Sequence, residues 1–215
     1  MMKYSIISNN CVGARSYEWE NEPFDNPFIW NCIKLKSFLY LIENFDTINL
    51  DNIKPLFTSG EIYNPKSPNN CVTILIDNII KLYFIHHHYN KNHISKKVFR
   101  NKESEENYNN KLFENIEYDI EGNDILNYMK KSYKRRLYRM KISNKPKLFV
   151  YWDSPTFNND DVKKMFSVKT NYHVIVISDT DYSKFEDSTH HWIKKNNMNS
   201  KYMGKVLNKY IKDNL

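Results

Sequence analysis

Short β-branched and aromatic runs alternate along the chain with segments whose apolar residues recur at helical spacing. KYSIIS (3–8), KLFVYW (147–152) and HVIVIS (173–178) each hold an apolar run bounded by polar residues, the pattern of short buried strands. VTILID (72–77) and IIKLYFIH (79–86) meet at Asn78, which predicts a hairpin or strand pair. Between them lie amphipathic segments. Ser8, Asn9 and Asn10 are cap-type residues that open a helix over 11–19, with Cys11 in its first turn. Trp30, Ile33, Phe38, Leu41, Ile42 and Phe45 predict a helix over 30–45, and Leu126, Met129, Tyr133, Leu137 and Met140 fall in one narrow sector of a helix over 124–141. DDVKKMF (160–166) reads as a short helix and MGKVLNKYIK (203–212) as a closing one. Strands alternating with helices predict a single α/β domain with a mixed or parallel central sheet flanked by helices, and residues 90–122 form a polar insertion.

Composition narrows the chemistry. Of 215 residues only 4 are glycine and none forms a phosphate-cradling GxGxxG or GxxxxGK[ST] loop. The longest apolar runs are far too short to span a bilayer, and MMKYSIISNNC lacks the pattern of a secretory leader, so a cytoplasmic protein is expected. The 3 cysteines, Cys11, Cys32 and Cys71, have no CxxC spacing, which argues against a disulfide framework or zinc knuckle. A net charge of +7 leaves anionic partners open. Its densest stretch is 130–147, with nine lysines and arginines and no acid, among them Arg135, Arg136 and Arg139, so an anionic ligand on this basic helix is one expectation.

Candidate chemistry follows the strand ends. Ser8-Asn9-Asn10-Cys11, His86-His87-His88, Asp153-Ser154 and Asp179-Thr180-Asp181 each follow a predicted strand, and in α/β sheets ligands bind beyond the carboxyl ends of parallel strands. A cysteine at a helix start has its thiolate stabilised by the unpaired amides there. A strand-borne histidine supplies the base, and alternation along the strand favours His87 over His86 and His88. Asn9, Asn10 and the Cys11 amide are candidate donors to a developing oxyanion. The histidines at 86, 88, 93, 190 and 191 offer imidazoles, yet nothing has the spacing of a zinc site, so neither a metal nor a cofactor is expected.

YSIISNNCVGARSYEW, EPFDNPFIW and FLYLIENF together resemble a bacterial family named for exopolysaccharide biosynthesis. The early cysteine, the PFDN element and FIHHHY resemble a related family of papain-like cysteine peptidases, and a basic RRxxR-type helix before a strand, here Arg135 to Arg139 before LFVYW, is common to both. Where the peptidase family has an acid this chain has His88, so the partner orienting the histidine stays open between Asp153 and Asp179. The resemblance implies a cysteine hydrolase with Cys11 as nucleophile and His87 as base, acting by acyl transfer on a peptide, amide or glycan-linked substrate. Two other readings remain. In a glycosyltransferase or other polysaccharide enzyme, Asp179 and Asp181 would hold a sugar nucleotide, with His86, His88 and the three arginines around it. A non-catalytic module would bind nucleic acid or another partner through the basic helix.

Overall fold

The computed structural model describes residues 2–58, 70–90, 93–94, 123–153 and 162–215, with backbone only at 57–58, 70–72, 85–90, 93–94, 123–126 and 128. Its strands are β1 (Ser5–Ser8), β2 (Ile53–Thr58), β3 (Asn70–Ile76), β4 (Ile80–Asn90), β5 (His93–Ile94), β6 (Lys147–Trp152), β7 (His173–Ser178) and β8 (His190–Lys194). The helices are α1 (Val12–Trp19), α2 (Leu35–Glu43), α3 (Asn123–Ile142) and α4 (Ser200–Asn214), with 3-10 turns at Val162–Ser167 and Ser183–Phe185. Nearly all of the predicted 90–122 insertion lies outside the described residues.

β1, β6, β7 and β8 form a parallel sheet in that order. Both faces are covered, as continuous apolar strands require. Ile6, Leu148, Val150, Ile175 and Ile177 pack against α1 and α4, whereas Ile7, Phe149, Tyr151, Val174 and Val176 face α2, α3 and a second, antiparallel sheet. That second sheet runs β2-β3-β4-β5. The strand predicted over 79–86 therefore belongs to a separate layer and leaves the central sheet purely parallel. Its hairpin turns where the sequence suggests, because Asp77 and Asn78 both take positive φ, 49° and 59°, and Ile79 N donates to Ile76 O at 3.0 Å. Asparagine and aspartate tolerate that left-handed geometry better than other side chains.

Three differences from the sequence pattern have local causes. The helix expected from residue 30 starts only at 35: Trp30 has φ 58°, and residues 32–33 spend their backbone groups on Tyr83 and Asn9. β2 carries Pro55 and escapes a strand signal, but it is an edge strand, where a missing N–H is tolerated. β8, HHWIK, has two apolar residues and gains its order from the ladder that β7 offers. The apolar sector of α3 behaves as its spacing predicts, with Met129, Tyr133, Leu137 and Met140 buried.

β1 is an edge strand whose outward groups are satisfied by side chains. Ile6 N donates to Tyr17 Oη at 3.0 Å, and Asn26 Nδ2 donates to Ile6 O at 2.9 Å. Tyr17 Oη in turn donates to Asp25 Oδ1, which also accepts from Ser5 Oγ at 2.9 Å. Burial, with the Asp25 carboxylate beside it, pushes the Tyr17 hydroxyl well up, so it stays protonated as the donor. Lys145 Nζ stands 3.4 Å from Asp25 Oδ2.

α1 and α4 approach closely at Gly204. A Cβ there would lie 2.7 Å from the Arg15 carbonyl carbon and 3.0 Å from its oxygen, both backbone atoms. Gly→Ala inside a helix usually gains about 1 kcal/mol. Here the sign reverses: Gly204→Ala is expected to lower stability by about 1–3 kcal/mol through overpacking. Urea denaturation checks this, and a stabilised variant would contradict the close crossing.

Candidate functional site

The junction of β1 and α1 is built by short polar side chains folding back on the backbone. Ser8 Oγ donates to Asn10 O at 2.6 Å and accepts from Gly13 N at 3.2 Å, while Asn10 Oδ1 accepts from Val12 N at 2.9 Å. Ser8 and Asn10 thereby cap two of the first amides of α1. Gly13 is needed for the approach, since a Cβ would fall 2.5 Å from Ser8 Oγ. Cys11 occupies the N-cap with φ −69° and ψ −8°, half-buried at the carboxyl edge of the parallel sheet.

Asn9 has a different task from the one its position suggested. It is fully buried; Trp152 N donates to its Oδ1 at 2.7 Å and its Nδ2 donates to Trp152 O at 3.1 Å. Its amide thus extends the β1–β6 ladder by one side-chain rung and has no surface to offer a substrate. The oxyanion role expected of Asn9 is corrected on that ground. Asn10, its oxygen capping Val12, serves the helix start, and the Cys11 amide is the remaining member of that expected trio.

The parallel strands bring three of the four predicted ends to one edge. Asp153 is half-buried; its amide continues the ladder to Ile177 O at 2.9 Å, and its Oδ2 accepts from Ser178 Oγ at 2.8 Å. Asp179 is exposed, with Lys195 Nζ 3.6 Å from Oδ2 and Asn197 N donating to Oδ1 at 3.3 Å. Asp181 turns to its own loop, where hydrogen bonds from Ser183 hold its carboxyl below the usual range. The two acids of the DTD segment are thus engaged separately with local groups. Among the described residues no three His, Cys, Asp or Glu are grouped to hold a metal.

The histidine tract sits elsewhere than at a strand end. β4 runs on to Asn90 in the antiparallel sheet, so His86, His87 and His88 do not terminate a strand of the parallel one. Their side chains lie outside the described residues, but the backbone is informative. Val72 pairs with Phe84 and the next residue, Cys71, pairs with His88, so Ile85, His86 and His87 bulge from the ladder. Strict alternation does not run through a bulge, which removes the argument that singled out His87. β4 is nevertheless tied to the Cys11 loop: Ile33 N donates to Asn9 O at 2.9 Å, and Cys32 exchanges two backbone hydrogen bonds with Tyr83 at 2.8 and 2.9 Å. His86 is three residues further along, about 10 Å of strand.

The arginines of α3 hold the 24–29 connection. Arg136 Nη1 reaches Ile29 O at 3.4 Å and its guanidinium lies 5.9 Å from the Phe24 ring centre, while Arg139 Nη1 reaches Phe24 O at 3.5 Å. Arg135 is exposed. Sequence reasoning missed Ser178, Lys195 and Cys32 at this edge. Ser178, the last residue of a legible strand, was the one with a usable signal.

The fold and this edge define an α/β protein with its polar side chains gathered beyond the carboxyl ends of a parallel sheet. Residues 1–113 match the family described as a domain of unknown function (DUF1919), more than half of the chain, and the protein belongs to that family. No curated protein matches it. Among the described residues no helix is long and apolar enough to cross a membrane.

Asn9→Ala leaves the Trp152 N–H and C=O without their partner, at about 1–3 kcal/mol for each buried group left unpaired. A drop in the urea midpoint of that order is expected, and an unchanged midpoint would show the rung to be dispensable.

Proposed function

We propose that the protein is a papain-like cysteine hydrolase acting by acyl transfer, with Cys11 as nucleophile and a histidine of the β4 bulge as base. The observation that carries the reading is the tether. The strand bearing His86 and His87 is hydrogen-bonded through Cys32 and Ile33 to the same loop that sets Cys11 on the start of α1. Bulges re-aim side chains and recur beside active sites.

The chemistry needs few groups. The imidazole takes the thiol proton, and the thiolate attacks the substrate carbonyl carbon. The backbone N–H of Cys11 donates to the oxyanion at the start of α1, where the helix dipole favours negative charge. Collapse breaks the acyl bond, the leaving amine or alcohol takes the proton from the imidazolium, and a thioester remains on Cys11. Water, deprotonated by the same imidazole, then releases the acid and restores the thiol. Asp153, half-buried at the same edge, is the acid we assign to orient the histidine. The resemblance of SIISNNC and EPFDNPFIW to the exopolysaccharide family supports a glycan-linked amide or ester as substrate.

The pH dependence of iodoacetamide labelling, read site by site by mass spectrometry, tests this. Cys11 is expected to react at least about tenfold faster than the fully buried Cys32, with a midpoint below the ordinary ~8.5 that rises in His86→Ala or His87→Ala. A Cys11 no more reactive than Cys32, or indifferent to both histidines, would remove the nucleophile.

A further inference from the structure

Beside the Cys11 edge, arginines and aromatic rings alternate in a strip that the proposed reaction leaves unused. Arg15 stands one helical turn beyond Cys11, its amide donating to Cys11 O at 3.0 Å, which puts the two Cβ atoms about 5–6 Å apart on one face of α1. Its guanidinium lies 4.7 Å from the Trp30 ring centre. Trp30 meets Phe24 edge-on at 6.5 Å, and Phe24 carries the Arg136 guanidinium at 5.9 Å, with Arg139 reaching the Phe24 carbonyl. The strip meets the Cys11 loop a second time, because three residues past Trp30 the Ile33 amide is bonded to Asn9 O at 2.9 Å.

Two features set the strip apart from ordinary surface packing. Trp30 has φ 58°, a left-handed conformation that a bulky side chain adopts only where the surrounding structure enforces it, and such strain gathers at functional sites. What this backbone achieves is to set an indole against the guanidinium next to Cys11. The charge is also uneven. Arg15, Arg136 and Arg139 stand along the strip with Glu18, whose Oε2 accepts from Arg15 Nη1 at 2.8 Å. The acids near Phe24, Glu22 and Asp25, pair instead with Lys145 Nζ at 3.6 and 3.4 Å. A guanidinium has five N–H donors, and Glu18 takes one from Arg15.

Each ring already has a guanidinium against it, so the strip presents planar, forked cations rather than open stacking surface. A stacked guanidinium pairs best with a carboxylate, whose two oxygens match its fork, and Glu18 displays that pairing within the chain. We propose that Arg15, backed by Trp30 and with Arg136 next along the strip, binds a carboxylate of the substrate. The molecule cleaved at Cys11 then carries an acidic group about one helical turn, ~5 Å, from the scissile carbonyl. Arg15 and Trp30 set specificity and take no part in bond breaking. The assignment to a substrate rests on the cysteine hydrolase reading, whereas the carboxylate site itself does not.

Two aryl disulfides that differ in charge test it: dithiobis(nitrobenzoate), with a carboxylate on each ring, and uncharged dithiodipyridine. With either, the Cys11 thiolate attacks one sulfur, forms a mixed disulfide and releases the other aryl thiolate, and the product at Cys11 is read by mass spectrometry. At low salt, Arg15→Gln is expected to lower the ratio of the charged to the uncharged rate about fivefold and Glu18→Gln to raise it about threefold. Lys131→Gln, the same loss of charge at an exposed position of α3, is expected to change it by less than about twofold. Arg15→Lys keeps the charge, loses the stacked fork and is expected to recover only part of the ratio. A second readout needs no thiol. The Trp30 indole N–H signal of the full chain is expected to shift with sodium benzoate, to stay put with benzamide, and to lose the benzoate response in Arg15→Gln. A ratio indifferent to Arg15 and Glu18, a ratio lowered as much by Lys131→Gln, or a Trp30 signal that responds equally to benzoate and benzamide would overturn the subsite. A Cys11 slow toward both disulfides, beside a Trp30 signal that moves only with benzoate, would keep the carboxylate site and remove the hydrolase reading.

Discussion

The outward edge of β1 is the constraint from which the rest of the molecule follows. A parallel sheet buried on both faces cannot leave the backbone of its first strand bare, since buried amide and carbonyl groups need partners. Tyr17 and Asn26 provide them at Ile6, and Asp25 and Ser5 hold Tyr17 in place. That one arrangement fixes the tilt of α1, folds 22–28 against the strand, and draws Lys145, just before β6, onto Asp25. Once α1 is set by Tyr17, its first turn lies over the end of β1, and Gly13 and Gly204 allow the strand and α4 to approach it.

The same economy appears at the carboxyl end. The Asn9 side chain replaces a backbone rung between β1 and β6, while its carbonyl oxygen binds Ile33, next to the residue that bridges to β4. Asn9, through Ile33 and Cys32, thus links the two sheets beside Cys11. Any hydrolytic chemistry that pairs Cys11 with the β4 histidines depends on this joint more than on either strand alone. The acyl transfer we propose falls at the carboxyl edge, where chain reversals gather polar side chains.

The basic helix illustrates how charge and packing divide. Its apolar sector seats it against the core, and two of its arginines reach the carbonyl oxygens of Phe24 and Ile29, satisfying groups that a proline-rich connection cannot pair within itself. Lys131, Lys134 and Arg135 face solvent, and Lys141 pairs with Asp51. Aromatic rings around Phe149, from Phe38, Phe45 and Tyr172, fill the opposite side of the layer.

Hydrophobic period and turn chemistry, being local, were legible in the sequence. β6 and β7 match their apolar runs residue for residue, the hairpin turns at Asp77-Asn78, and α3 extends one residue beyond the expected span at each end. The cysteine at the start of α1 was likewise readable from its cap residues. What depended on long-range pairing was not. β8 becomes a strand only because β7 offers it hydrogen bonds, Asn9 becomes a rung only because Trp152 lies alongside, and β4 leaves the central sheet because its partners are β3 and β5. Asp25 and Asn26, in the connection between α1 and α2, serve the edge of β1 only because the fold buries them against it. A sequence specifies periods and caps one neighbour at a time, whereas the partner that completes a backbone group tens of residues away is chosen by the packed structure as a whole.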